Sequence, residues 1–142
     1  MDDCLFCRIA RNEIPAHVVY EDDEILAFLD LHPIRPGHSL VIPKQHHVWF
    51  EDLPPDLAAR ITTCAQQLAR HMKRIYRVER VGFFYTGIHV PHAHAHVVPM
   101  HHNHDVSSQA YLLDGAGGFS APPQLPAEEN RRIAQDLSAA FA

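Results

Sequence analysis

His92-Ala93-His94-Ala95-His96-Val97-Val98 alternates three imidazoles with two alanines and then passes into a valine pair. Successive side chains of a strand point to opposite faces, so the run predicts a strand with His92, His94 and His96 sharing one face. Ala93, Ala95 and Val97 then point into apolar packing on the other face. Three aligned imidazoles suit either a metal ion or a phosphate group. A metal needs its ligands to converge, whereas alternate residues of a straight strand stand roughly 7 Å apart, so two converge more readily than three. For phosphate, a neutral imidazole is a nucleophile at pH 7, and neighbouring imidazoles donate hydrogen bonds to phosphate oxygens. A central His94 attacking phosphorus, with His96 on the oxygens, would give a phosphoramidate that water cleaves in a second step. Any one of these histidines taken alone reads equally as a solvent-facing strand residue.

Working outward from this run, strands are predicted near 17–20 and over 25–30, 39–42 and 82–86, with the histidine run as the fifth. Glu21-Asp22-Asp23-Glu24 reads as a solvated turn, and His32-Pro33-Ile34-Arg35-Pro36-Gly37 as a loop. Leu53-Pro54-Pro55-Asp56 is a helix entry, followed by Leu57, Ile61, Cys64, Leu68, Met72 and Ile75 at three- and four-residue steps. That spacing predicts an amphipathic helix of about six turns closing near Tyr76, with Cys64 as a small core residue. The stretch 99–126, holding Gly115, Gly117, Gly118, Pro122 and Pro123, reads as a loop. A last helix is expected over 127–140, with Ile133 and Leu137 on one side. Five short strands with two helices that do not alternate with them predict an α+β fold around an antiparallel sheet.

At 142 residues the chain suits one domain, and 46% apolar with 20% charged residues is ordinary for a globular protein. The net charge of -5 and the absence of a basic block argue against a nucleic-acid partner. Histidine is the compositional oddity: seven of the 13 lie between His89 and His104. No apolar run reaches the roughly 20 residues that span a bilayer, so no membrane partner is expected. Asp2, Asp3 and Cys4 do not open a signal peptide, and three cysteines are an odd count, so a cytoplasmic location with reduced thiols is expected.

The run His92–Val98 resembles the signature of the histidine-triad (HIT) family, in which three histidines alternate with apolar residues. Cys4-Leu5-Phe6-Cys7, Glu13-Ile14-Pro15-Ala16, Ala27-Phe28-Leu29-Asp30 and Pro36-Gly37-His38-Ser39-Leu40-Val41-Ile42-Pro43-Lys44 are similar to stretches of its bacterial Hint-like members. The resemblance implies a HIT-like fold: a five-stranded antiparallel sheet, one long central helix and a C-terminal helix. Residues 1–142 then form a single HIT domain, with a signature core over 4–100 and a variable loop and C-terminal helix over 101–142. It also implies nucleotidyl hydrolases or transferases acting on the α-phosphate of purine nucleotides, through a covalent nucleotidyl-histidine. Phosphoramidates and dinucleoside polyphosphates are the substrate types, and a homodimer joins two sheets across a two-fold axis.

Carried over by motif position, His94 resembles the nucleophile, and His96 the neighbour that holds phosphate oxygens and protonates the leaving group. His38 resembles a supporting histidine. Asp30 resembles the carboxylate for the ribose hydroxyls, with Phe6, Phe28 and Leu31 lining the base pocket. Plain core packing is nearly as simple a reading of the two phenylalanines. In place of the family's glutamine and hydroxyl donors, this chain has Gly87-Ile88-His89-Val90-Pro91, where His89 is the candidate substitute donor. The strand asparagine of many members falls in Phe83-Phe84-Tyr85-Thr86. Turnover rate and leaving-group preference are what these departures leave open. No cofactor is required for this chemistry. In zinc-bearing members, the positions here occupied by Cys4, Cys7, His46 and His92 form a closed structural site; His47 neighbours His46, and two ordinary thiols are the alternative. Two other readings stand beside the enzyme: a non-catalytic purine-nucleotide binding or signalling module, and a metal-dependent hydrolase with the triad as ligands. His101-His102-Asn103-His104-Asp105 reads as an exposed loop, with phosphate contact or adventitious metal as alternatives.

Overall fold

The computed structural model describes residues 3–107 and 122–142. Its elements run α1 (Leu5–Ala10), β1 (Val18–Glu21), β2 (Ile25–Leu29), β3 (Ser39–Pro43), α2 (Pro55–Tyr76), β4 (Arg80–Phe84), β5 (Ala95–Met100) and α3 (Ala127–Ser138). The strands form one antiparallel sheet in the order β1-β2-β3-β5-β4, so the expected α+β class holds. Gly115, Gly117 and Gly118 of the predicted loop lie outside the described residues.

The period-two pattern divides this sheet into two covered faces. Ile25, Ala27, Leu29, Val41, Ala95 and Val97 point to one side, where α2 contributes Leu57, Ile61, Cys64, Leu68 and Met72 and α3 contributes Ile133, Ala134 and Leu137. Leu26, Phe28, Leu40 and Ile42 point to the other, where α1 adds Phe6, Cys7 and Ile9. Pro55 starts α2 at a position whose N–H has no helical partner anyway. Asp56 in its first turn and Lys73 and Arg74 in its last complement the helix dipole, and Arg77 ends it in the left-handed conformation.

Four expectations need correction. The helix α1 is an addition: six residues are too few to propose themselves by periodicity, and α1 exists by burying Phe6, Cys7 and Ile9. Ile75 is 40% exposed, since α2 outruns the sheet there and Tyr76 takes the inward place. The fourth strand sits two residues earlier than expected, at Arg80–Phe84. The fifth begins at Ala95, not at His92. Val41 pairs with Ala95, so one further step of the ladder would set Ala93 opposite Pro43, which has no N–H to give. Instead, Ala93 N–H donates to the His47 carbonyl at 2.6 Å, and His92 N–H to Val90 at 2.8 Å. At its other end β5 runs through Pro99, which pairs with Val81 of β4 where β3 has already ended.

Candidate functional site

The alternation that covers the sheet also gathers the site. Asp30 follows Leu29, and His38 precedes Ser39, so both project to the face opposite α2. On that face Phe28 pairs with Leu40, Leu40 with His96, and His96 with Phe84, a row across four strands. The loop between Asp30 and His38 closes by Asp30 N–H on the His38 carbonyl at 3.0 Å, with Gly37 at φ 97°. Arg35 grips Asp105 with two bonds of 2.9 and 3.0 Å, and Asp105 also accepts the N–H groups of His101 and His102. These bonds hold the Asp105 carboxyl at about 2 and tie the loop to the segment after β5. His101, His102 and His104 are exposed, whereas Asp105 is buried.

Partners place the protons on the imidazoles. His94 Nδ1 lies 2.8 Å from the His92 carbonyl, which can only accept, so Nδ1 carries the proton and Nε2 keeps its lone pair. Ile34 N–H donates to His38 Nδ1 at 3.0 Å, leaving the His38 proton on Nε2. That Nε2 lies 2.9 Å from His96 Nδ1, which is therefore the acceptor, and 3.5 Å from Asp30 Oδ2. A neutral His96 then bears its proton on Nε2, a buried atom without a hydrogen-bond partner. Burial pushes His38 down to about 3 and His96 to about 4, and it also holds His94 below the ordinary histidine value. The same desolvation raises Asp30, whose Oδ1 accepts His32 N–H at 2.8 Å.

Asp30, His38 and His96 bring ligand-type atoms within 4.8 Å of one another. A metal there would need the lone pair that His38 Nε2 lacks, so the arrangement is a hydrogen-bonded chain instead. Phe6 and Phe28 are buried and meet edge to face at 5.5 Å, with Phe6 also 5.0 Å from the His94 ring. Leu31 is 45% exposed. His89 is exposed in the left-handed conformation, φ 77°, at a cleft shared with Asp3, Cys4 and His46.

Cys4, Cys7, His46 and His92 form a second cluster, also with ligand atoms within 4.8 Å of one another. The His92 proton goes from Nε2 to the Pro43 carbonyl at 2.8 Å, so the Nδ1 lone pair faces Cys4 Sγ at 3.4 Å and Cys7 Sγ at 3.5 Å. His46 Nδ1 lies 3.2 Å from Cys7 Sγ, whereas His47 is outside the cluster. Burial, with Cys4 beside it, raises the Cys7 thiol. Sequence reasoning passed over Phe84 and the carbonyls of Pro43 and His92. The parity of β4 against β5 would have placed Phe84 on the His96 face, but the backbone partners carry no sequence signal.

Residues 11–103 match the HIT domain family. An uncharacterized HIT-like protein of Methanocaldococcus jannaschii is 37% identical over 68% of this chain and 78% of its own length. An adenosine 5'-monophosphoramidase of Saccharomyces cerevisiae is 35% identical over 68% of this chain and 61% of its own. The crystal structure of a zinc-bound histidine triad family protein from Mycobacterium smegmatis superposes with a TM-score of 0.74 at 29% identity, covering 99% of this chain and 94% of that one. The fold, the triad and these relatives agree: this chain belongs to the HIT family.

Proposed function

We propose that this chain is a nucleotide hydrolase, and more narrowly a nucleotidyl hydrolase or transferase acting on the α-phosphate of purine phosphoramidates or dinucleoside polyphosphates. The observation that carries the reading is the His94 proton fixed on Nδ1, which leaves a lone pair on Nε2 in a buried, neutral ring. Nε2 attacks the α-phosphorus, and the bond to the leaving nitrogen or oxygen breaks with its electron pair, that atom taking a proton from solvent. Water then attacks the nucleotidyl-histidine, the P–N bond returns its electrons to the ring, and the nucleoside monophosphate leaves. His96, kept neutral by burial and accepting the His38 proton on Nδ1, serves as a donor to a phosphate oxygen; this favours that role over proton delivery to the leaving group. Asp30 retains acceptor capacity for ribose hydroxyls, with Leu31 at the mouth and Phe6 and Phe28 behind the base, and His89, in the cleft beside Cys4 and His46, is assigned to the leaving-group side. The phosphoramidase activity named for the yeast relative supports this substrate class.

Cys4, Cys7, His46 and His92 fit a structural zinc. A tetrahedral ion with bonds of ~2.3 Å to sulfur and ~2.1 Å to nitrogen needs S···N edges of about 3.5 Å, and the sulfurs already lie 3.2 to 3.5 Å from the two Nδ1 atoms. The ion would pin the N-terminus to the sheet and take no part in the chemistry. A homodimer through β4 is supported by its place at the sheet edge and by exposed Phe83, Phe50 and Trp49, the first two packed on Tyr85 and the third on Gly87, just after β4. Light scattering should give twice the chain mass, and Phe83→Arg should return a monomer.

The deciding experiment is His94→Ala, assayed by release of adenosine monophosphate from adenosine phosphoramidate and by acid-quench trapping of nucleotidyl-protein. Both signals should vanish. Turnover retained in that variant overturns the mechanism, and nucleotide affinity without turnover in the wild type would leave a binding module. Activity that a chelator removes from a still-folded protein would point to a metal-dependent hydrolase.

A further inference from the structure

The row Phe28–Leu40–His96–Phe84 ends at the edge strand in a ring contact that has no part in the proposed chemistry. Phe84 is the register partner of His96, and the two rings lie 10° from parallel with centroids 4.8 Å apart. His96 is otherwise held by the His38 proton on Nδ1 at 2.9 Å, by Leu40 opposite it in β3, and by the His94 ring at 5.0 Å. Among the described residues, His96 Nε2 is the one buried side-chain nitrogen or oxygen without a partner. Gly82 lies on the same face two residues earlier, beneath Met100 and Val106 and beside the Phe84 ring. A Cβ there would stand 3.3 Å from Met100 Sδ and 3.7 Å from the Phe84 ring.

We propose that Phe84 is a positioning residue for His96, stacking on the imidazole so that its plane is fixed and its Nε2–H stays free for a ligand oxygen. The proposal rests on reading His96 as the phosphate donor. A single hydrogen bond at Nδ1 fixes one edge of the ring but lets its plane tilt about that contact, and a parallel aromatic face limits the tilt. A polar side chain at 84 would compete for the Nε2 proton or for the one His38 gives. An aliphatic side chain would fill the volume without offering a flat face. Phe84 does neither, which is why the buried donor remains unspent.

The test compares Phe84→Leu, Phe84→Asn and Phe84→Tyr with the wild type, each first checked for melting temperature and oligomeric state. Steady-state kinetics on adenosine phosphoramidate are read beside long-range proton–nitrogen spectra of the imidazoles. Phe84→Leu should lower kcat about tenfold while KM moves less than about twofold, and Phe84→Tyr should restore kcat. In Phe84→Leu the His96 nitrogens should shift towards tautomer-averaged values, with those of His94 in place. A folded Phe84→Leu with unchanged kcat and unchanged His96 nitrogens overturns the proposal, as does a change confined to KM. Should Phe84→Leu fail to fold, Phe84→Asn set against Phe84→Tyr decides by the same two readouts. If the wild type neither turns over nor yields a nucleotidyl intermediate, the enzymatic reading fails, and the nitrogen spectra alone then decide whether Phe84 fixes His96.

Discussion

Burial keeps His38 and His96 neutral near pH 7, and this has a cost in acid. In an unfolded chain each would titrate near 6.5; in the fold they sit at about 3 and about 4. Their folded values are depressed, so the stability they contribute is complete above about 6.5 and is lost as pH falls towards the folded values, the unfolded chain taking up protons first. The melting temperature should therefore drop between pH 7 and pH 4.5, and His38→Gln should flatten that slope. A slope unchanged by His38→Gln would remove His38 from the account. At this scale the triad was legible from its alternation, and Asp30 and His38 from motif resemblance. Their proton positions were not, since each depends on a backbone partner distant in sequence or on loop closure.

Elements decide how firmly those residues are held. The loop carrying His38 passes over the end of α2 with no clearance: a Cβ on Gly37 would stand 2.7 Å from the Tyr76 ring, at φ 97°. Gly37→Ala should thus destabilise by about 1–3 kcal/mol and displace His38, read as a lower melting temperature and a lower kcat. Gly37→Ala at wild-type stability would mean that Tyr76 yields easily. The long helix was legible because its stripe repeats for six turns and its prolines mark the start. The first helix was not, because six residues show no period. The start of β5 was misplaced because what stops it, Pro43, lies at the end of β3, on the far side of α2 and β4 in the chain.

Across the whole molecule, the two clusters meet at one residue. The His92 ring faces the thiols of Cys4 and Cys7 while its carbonyl holds the His94 proton. Metal analysis should find about one zinc per chain, and chelation should lower the melting temperature by at least about 5 °C. A stoichiometry near zero removes the structural ion. Among the described residues no helix is long and apolar enough to cross a membrane. The sheet order and the stacking of Phe84 on His96 are whole-chain properties, and local patterns gave only their parity.

The row that runs from Phe28 through Leu40 and His96 to Phe84 has a kinetic corollary. Its neighbours come from strands separated by the whole of α2, and the His38–His96 bond spans 58 positions. None of this surrounding exists in a chain that has closed only its first hairpin. Phosphate chemistry and the His96 nitrogen signals should appear together, late in refolding, when β5 enters between β3 and β4. A half-assembled chain is then inert towards nucleotides, and the onset of activity dates the closing of the sheet.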